Sequence, residues 1–167
     1  KISKEKQHNY YLHIAIAPTK NMDRFEWFLE KATEIGIDEI TPIVCERSER
    51  KIVKTERCNR ILLSAMKQSL KYHLPKLNEG TSFKDFIKQN FEGSKYITHC
   101  EEGEKTELRK EEKEERNLIL IGPEGDFSPT EIEKSTQHNF NPISLGNSRL
   151  RTETAAIVAV HTINIKN

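Results

Sequence analysis

The sequence predicts an α/β fold, a mostly parallel sheet with helices on both faces. Three observations carry that expectation. Apolar runs at residues 11–17 and 39–45 flank an amphipathic stretch at 21–35, and strand–helix–strand alternation argues for parallel pairing. Further on, Leu118-Ile119-Leu120-Ile121 stops abruptly at Gly122-Pro123-Glu124-Gly125-Asp126, before a helix. A second short strand, 142–145, runs into Gly146-Asn147-Ser148-Arg149-Leu150-Arg151 and an alanine-rich helix. In open α/β sheets, ligands bind outside the carboxyl ends of strands, in loops of this kind. These two loops are expected to wall one pocket.

In chain order, residues 1–9 are polar and begin at Lys1. They read as a linker remnant, with the domain itself over 10–167. Residues 11–17 form the first buried strand, ended by Pro18. Met22, Phe25, Phe28, Leu29, Ala32 and Ile35 then recur at helical spacing up to Gly36, a suitable stop. Trp27 lies off that stripe and should be partly exposed. Residues 39–45 form the second strand, where Pro42 suggests an edge or a bulge. Residues 46–51 read as a charged, solvated connection. A long helix is expected over 55–72, with Cys58, Ile61, Leu62, Ala65 and Ser69 on one face and Pro75 beyond its end. A short capped helix should span 82–89 and a third strand 95–100. The densely charged segment 101–116 reads as an exposed helix or loop with local ion pairs.

Composition sets bounds. A chain of 167 residues with 35% hydrophobic content suits one domain with a sizeable core. The net charge of +1 gives no global attraction to nucleic acid, so an RNA-binding surface would have to be a local basic patch. Cys45, Cys58 and Cys100 have neither zinc spacing nor a disulfide framework, which points to a reducing cytoplasm. No apolar run approaches the ~20 residues of a membrane span, and no stretch reads as a signal peptide.

Each loop has its own chemistry. Pro123 suits the second position of a tight turn and Gly125 its exit. Ser128-Pro129-Thr130-Glu131 has the pattern of a capping box with proline at the first helical position. No Lys-Ser/Thr pair follows the glycines, so this is not a Walker-type phosphate loop. After the second loop, Thr152 is read as the cap of a helix whose Ala155, Ala156, Ile157, Val158, Ala159 and Val160 predict burial on every side. Arg149 and Arg151 stand at its entrance. Arginines there need a partner, either a carboxylate such as Glu153 or Glu124, or a bound anion. His99-Cys100 ends a strand near the pocket, but no partners for a metal pair or a thiol nucleophile are recognisable, and no metal is expected.

Both loop strings, from Ile121 to Phe127 and from Leu145 to Ala155, closely resemble the paired signatures of the RsmE family. These are 16S ribosomal RNA uridine-N3 methyltransferases of the SPOUT superfamily. Lys31-Ala-Thr-Glu-Ile-Gly-Ile37, Thr41-Pro-Ile-Val-Cys-Glu-Arg-Ser48 and Gln68-Ser-Leu-Lys-Tyr-His-Leu-Pro75 resemble further family blocks in the same order. Leu70-Lys71 stands where a Gly-Arg pair is typical, Asp126 replaces the more usual second glycine, and Asn147-Ser148-Arg149 alters the usual arginine spacing. Sequence pattern alone suggests a plain doubly wound fold. The resemblance implies instead a SPOUT fold with a C-terminal trefoil knot, a homodimer, and a small β-barrel RNA-binding domain preceding this one.

The resemblance also implies S-adenosyl-L-methionine as cofactor and the small ribosomal subunit, through its 16S RNA, as partner, with no membrane involved. Around the cofactor it puts Thr98 and His99 at the end of the third strand, then Ile121, Gly122, Pro123 and Gly125. From the second loop it adds Ser144, Leu145, Gly146, Leu150 and Thr154. Arg151 is the first catalytic candidate, Arg149 the second and Glu124 the third. Arg47 is a candidate for RNA contact or site support, and Lys67, Lys71 and His73 are candidate RNA contacts. Three other readings compete: a SPOUT enzyme acting on another RNA base, a non-catalytic RNA-binding module, and a nucleotide enzyme using the Gly-Pro-Glu-Gly turn.

Overall fold

The computed structural model describes residues 8–167. Its elements are β1 (Tyr11–Ile16), α1 (Met22–Ile35), β2 (Glu39–Val44), α2 (Thr55–Gln68), β3 (Lys76–Leu77) and β4 (Thr81–Ser82). There follow α3 (Phe83–Phe86), β5 (Ser94–Thr98), β6 (Thr106–Glu107), a 3-10 turn (Leu108–Lys110) and β7 (Arg116–Ile121). The chain ends with α4 (Pro129–Gln137), β8 (Asn141–Ser144) and α5 (Thr152–Lys166). The sheet order is β3-β2-β1-β7-β5-β8-β6, with β4 also on β2. Every strand pairing among the described residues is parallel. Adjacent strands running the same way need crossover connections, and the intervening helices supply them.

Period-2 alternation decides the two faces. Leu12, Ile14, Ile16, Ile119 and Ile121 face a core completed by α1, α2 and α5 through Phe25, Phe28, Leu29, Leu62, Ala156 and Val160. Ala15, Leu118, Leu120 and Ile97 face a second core with Phe83 and Phe86 of α3, Phe127 and Phe140. Helices therefore cover both faces, as the sequence predicts. Truncating a residue as completely enclosed as Phe28 would cost about 3–5 kcal/mol.

Several boundaries differ for local reasons. α2 ends at Gln68, four residues short of the expected 72. Leu70 adopts φ 57°, and the Lys71 amide donates back to the Met66 carbonyl (3.0 Å). This is the left-handed closure usually reserved for glycine, so a leucine there hid the stop. α3 keeps only Phe83–Phe86 of the expected 82–89, capped by Ser82 as the pattern suggested. The third strand is Ser94–Thr98 rather than 95–100. Pro42 sits in register with Ile16 of β1, on a strand with neighbours on both sides. Its outer neighbour is divided between β3 beside residues 39–40 and β4 beside residues 43–44, so the proline falls in the gap.

α5 departs more. It buries Thr152, Glu153, Ala156, Ala159, Val160 and Ile163. Ile157 and Val158 are half-buried and Ile165 is 65% exposed, so one chain alone does not bury it on every side. The linker reading of 1–9 falls mostly outside the described residues. Within them, His8 is bonded to Asp38 (2.9 Å) and Tyr10 donates to the Gly36 carbonyl (2.8 Å), so packing starts before β1. No described helix is long and apolar enough to cross a membrane.

Candidate active site

At the carboxyl ends of β5, β7 and β8, three loops and the start of α5 enclose a cavity of ≈ 720 Å³. This is the size of a small-molecule site. β5 supplies Thr98, His99 and Cys100; β7 supplies Ile121, Gly122, Pro123, Glu124 and Asp126. The loop after β8 supplies Ser144 through Arg151, and α5 adds Thr152 and Ala155. The two walls expected from the glycine-bearing loops therefore meet in one pocket.

The β7 wall is bonded from every side. Asp126 donates its amide to the Pro123 carbonyl (2.9 Å) and takes φ 67°. Pro123 is thus the first residue of the turn rather than its second, and aspartate occupies the left-handed position expected of glycine. The Asp126 carboxylate accepts from the Cys100 amide (2.9 Å), joining this loop to that of β5. Glu124 accepts from the Lys20 amide (2.9 Å), and Arg47 donates to the Gly125 carbonyl (2.9 Å). The Ser128–Glu131 capping box is formed, and Glu131 also accepts from the Glu46 amide (3.1 Å). Residues 46–51 are accordingly not a merely solvated connection: Arg50 donates twice to the Lys20 carbonyl (3.1 and 2.9 Å). The resemblance raises Arg47 for RNA contact or site support, but no pattern in the sequence marks Arg50 as a brace.

Thr152 does not cap α5. Arg151 holds the cap position without a side-chain cap bond, and the Thr152 hydroxyl donates instead to the Gly122 carbonyl (2.9 Å). That bond stitches the two walls together. The carboxylates proposed as partners for the arginines are engaged elsewhere: Glu124 with Lys20, and Glu153 4.0 Å from Arg24. Among the described residues, Arg149 and Arg151 make no ion pair or side-chain hydrogen bond, and both are exposed at the pocket wall.

The other expected positions sort as follows. Thr98, His99, Ile121, Gly122, Pro123, Ser144, Leu145, Gly146 and Leu150 line the cavity; Gly125 and Thr154 do not. Gly125 lies behind the wall against Arg47, where an added Cβ would meet the Arg47 Cβ at 3.3 Å. Gly146 takes φ 132° and an added Cβ there would meet no protein atom within 4 Å. Arg47 is brought to the site, but Lys67, Lys71 and His73 are not. They lie at or beyond the end of α2, and His73 is 3.5 Å from Asp38, which precedes β2. They are therefore at the amino edge of the sheet, opposite the pocket.

The lining suits an amphipathic ligand. Ile121, Ile143, Leu145, Leu150 and Ala155 offer apolar surface for a flat ring. His99 Nδ1 is buried with no hydrogen-bond partner, an unsatisfied group that a polar ligand edge would complete. Burial first, and Lys105 second, hold the His99 ring below its usual pKa, so it is neutral at pH 7. Among the described residues no group of His, Cys, Asp and Glu could hold a metal ion.

Residues 6–164 match the RNA methyltransferase domain family. The chain is 34% identical over 160 residues to the ribosomal RNA small subunit methyltransferase E of Mesomycoplasma hyopneumoniae, covering 92% of this chain and 68% of the relative. A probable rRNA-methyltransferase from Porphyromonas gingivalis superposes with TM-score 0.90 at 43% identity, over 98% of this chain and 71% of that one. A Legionella pneumophila methyltransferase solved with bound SAM superposes with TM-score 0.83 at 30% identity, over 95% and 68%. The chain spans 64–68% of the length of the first three curated relatives it matches.

Proposed function

The chain belongs to the RNA methyltransferase family, within the small subunit methyltransferase E group, and from that premise we propose that it methylates N3 of a uridine in 16S ribosomal RNA. The observation that carries this reading is the pair of unpaired guanidiniums, Arg149 and Arg151, beside an apolar-floored pocket that fits a nucleoside-sized ligand. When bound, S-adenosyl-L-methionine supplies an electrophilic methyl group. Its transfer to N3 would break the carbon–sulfur bond, form the carbon–N3 bond and release the N3 proton to solvent.

The protein's share is placement and charge. Bringing N3 within ~3–3.5 Å of the methyl carbon supplies most of what a bimolecular transfer lacks. As the imide proton leaves, negative charge spreads to the uracil oxygens, and the Arg151 fork meets it with two donors. Arg149 holds the adjacent phosphate or shares that role. Glu124, tied to the Lys20 amide, orients its turn rather than reacting. Gly146 admits the ligand, Leu145 and Leu150 cover its ring, Thr98 and Ser144 border it, and His99 Nδ1 meets a polar edge. Gly125 and Thr154 support the walls from behind. Arg47 braces the β7 loop and presents its exposed flank to RNA.

Three finer readings accompany this one. The half-open apolar residues of α5 support a homodimer that covers them. Insertion of β8 between β5 and β6, and the Thr152–Gly122 bond across the loops, support a C-terminal trefoil knot. A cytoplasmic location follows from a ribosomal substrate. Calorimetry with S-adenosylmethionine, S-adenosylhomocysteine and ATP tests the cofactor. Mass mapping of small-subunit RNA from cells lacking the gene should show one uridine unmodified. Binding of ATP alone, or an unchanged RNA map, would refute the reading.

A further inference from the structure

Residues 57–78, along α2 and around its exit to β3, carry Arg57, Arg60, Lys67, Lys71 and Lys76 and no Asp or Glu. The whole chain is only +1, so this one stretch concentrates basic charge against an acidic remainder. Arg57 is paired with Glu26 at 2.8 Å. Arg60, Lys67 and Lys71 make no ion pair among the described residues. Within the same stretch Leu70 is 80%, Tyr72 71% and Leu74 45% exposed. Leu70 also stands at φ 57°, a conformation unfavourable for leucine, and shows its side chain to solvent there.

Apolar exposure of this kind marks a binding surface, and charge tells which kind. Protein–protein interfaces are depleted in lysine, whereas single-stranded nucleic acid is held by a basic track beside aromatic side chains on which bases stack. A duplex keeps its bases stacked on one another and offers Tyr72 no free face. We propose that Tyr72, between Leu70 and Leu74 and flanked by Lys67 and Lys71, is a stacking platform for an unpaired base of single-stranded RNA. The proposal rests on the RNA-methyltransferase reading above and extends it to the opposite edge of the sheet. The length of α2, roughly 21 Å, separates platform and pocket, so a strand must run past the site to reach both.

Anisotropy of labelled RNA on the whole chain tests it, using one single strand and the same strand annealed into a duplex. Tyr72→Ala should weaken the single strand about tenfold and leave the duplex and cofactor affinity unchanged. Tyr72→Phe should restore binding. Lys67→Gln with Lys71→Gln should lower the slope of log affinity against log salt by about 1.4. Leu70→Gly should raise the melting temperature, since glycine accepts that φ freely, and so reports an intact fold. Unchanged single-strand affinity in folded Tyr72→Ala, alongside a loss in Arg149→Ala, would remove the platform and leave the RNA reading standing. Self-association of the wild type that Tyr72→Ala abolishes would make the patch an interface between copies and overturn the proposal. If the wild type binds cofactor but no RNA, the proposal fails; if it binds neither, the proposed function fails with it.

Discussion

The two walls of the pocket are built in opposite ways. The loop after β7 is held by the Lys20 amide, the Arg47 guanidinium, the Cys100 amide, a capping box and the Thr152 hydroxyl. Among the described residues, the loop after β8 has a local pair of side-chain bonds between Ser144 and Gly146, and then two arginines with no ion pair or side-chain hydrogen bond. A prebuilt wall can recognise a cofactor without reorganising. An under-bonded wall with free guanidiniums suits a group that acts only when substrate charge arrives. The difference gives the pocket one fixed side and one open side, with the ligand's space between them.

The largest effect should come from closing the space between them. Gly146→Val puts a branched side chain where no protein atom lies within 4 Å, so it meets the ligand rather than the fold. The valine also pays about 1–2 kcal/mol for its left-handed backbone. Cofactor binding by calorimetry should disappear while circular dichroism stays native. Gly125→Ala, which faces Arg47 behind the other wall, should leave affinity within a few-fold. Equal losses in the two variants would break the distinction between the walls.

Next in size is Arg151. Arg151→Ala should keep cofactor affinity and lose at least ~100-fold in single-turnover methyl transfer, the scale of one donor to developing charge. Its melting temperature should hardly move, because the side chain has no partner to lose among the described residues. A marked drop in melting temperature with near-normal turnover would instead make it a structural residue.

How much of this was legible in advance divides along the same line. The apolar run Leu118-Ile119-Leu120-Ile121 and the helical stripe of Phe25, Phe28 and Leu29 marked strand and helix, because burial acts on side-chain type and period, while the structure decided which strand residues face which core. The loop glycines led to the pocket for a similar reason, since backbone freedom is a property of residue type. The braces were largely hidden: Arg47 was raised for site support only through the resemblance and Arg50 not at all, because they bond carbonyls that lie 78 and 30 residues away in sequence. Thr152 looked like a cap because local spacing allowed it, yet its hydroxyl is taken by a carbonyl 30 residues back. Lys67, Lys71 and His73 were grouped with the site by residue type and sequence block. Sequence order alone did not say that α2 carries them to the far edge.

A smaller effect should follow from cutting the one stitch between the walls. Thr152→Val keeps shape but removes the donor to the Gly122 carbonyl in a buried setting. Urea unfolding should show a loss of about 1–3 kcal/mol, with cofactor affinity reduced several-fold as the walls separate. Destabilisation without any change in affinity would mean that the walls recognise the ligand independently.

The smallest effect concerns protons and tests which wall carries the titrating group. His99 has its pKa held below 6.5 by burial, then by Lys105. Well above pH 6.5 the ring is neutral in folded and unfolded chains alike. As pH falls through 6.5 the unfolded chain takes up a proton that the folded chain refuses, so stability declines towards the folded pKa. Cofactor binding should follow a matching course. It should be flat from about pH 8 to about 6.5, then weaken a few-fold at lower pH, as protonation charges the ring that the ligand's polar edge is proposed to meet in its neutral form. The arginines of the other wall stay charged throughout and add no slope. Calorimetry across that range on wild type and His99→Asn separates the contributions: the variant should lose the acid-side decline. A decline that persists in His99→Asn would move the titrating group elsewhere and leave the end of β5 without a part in sensing charge.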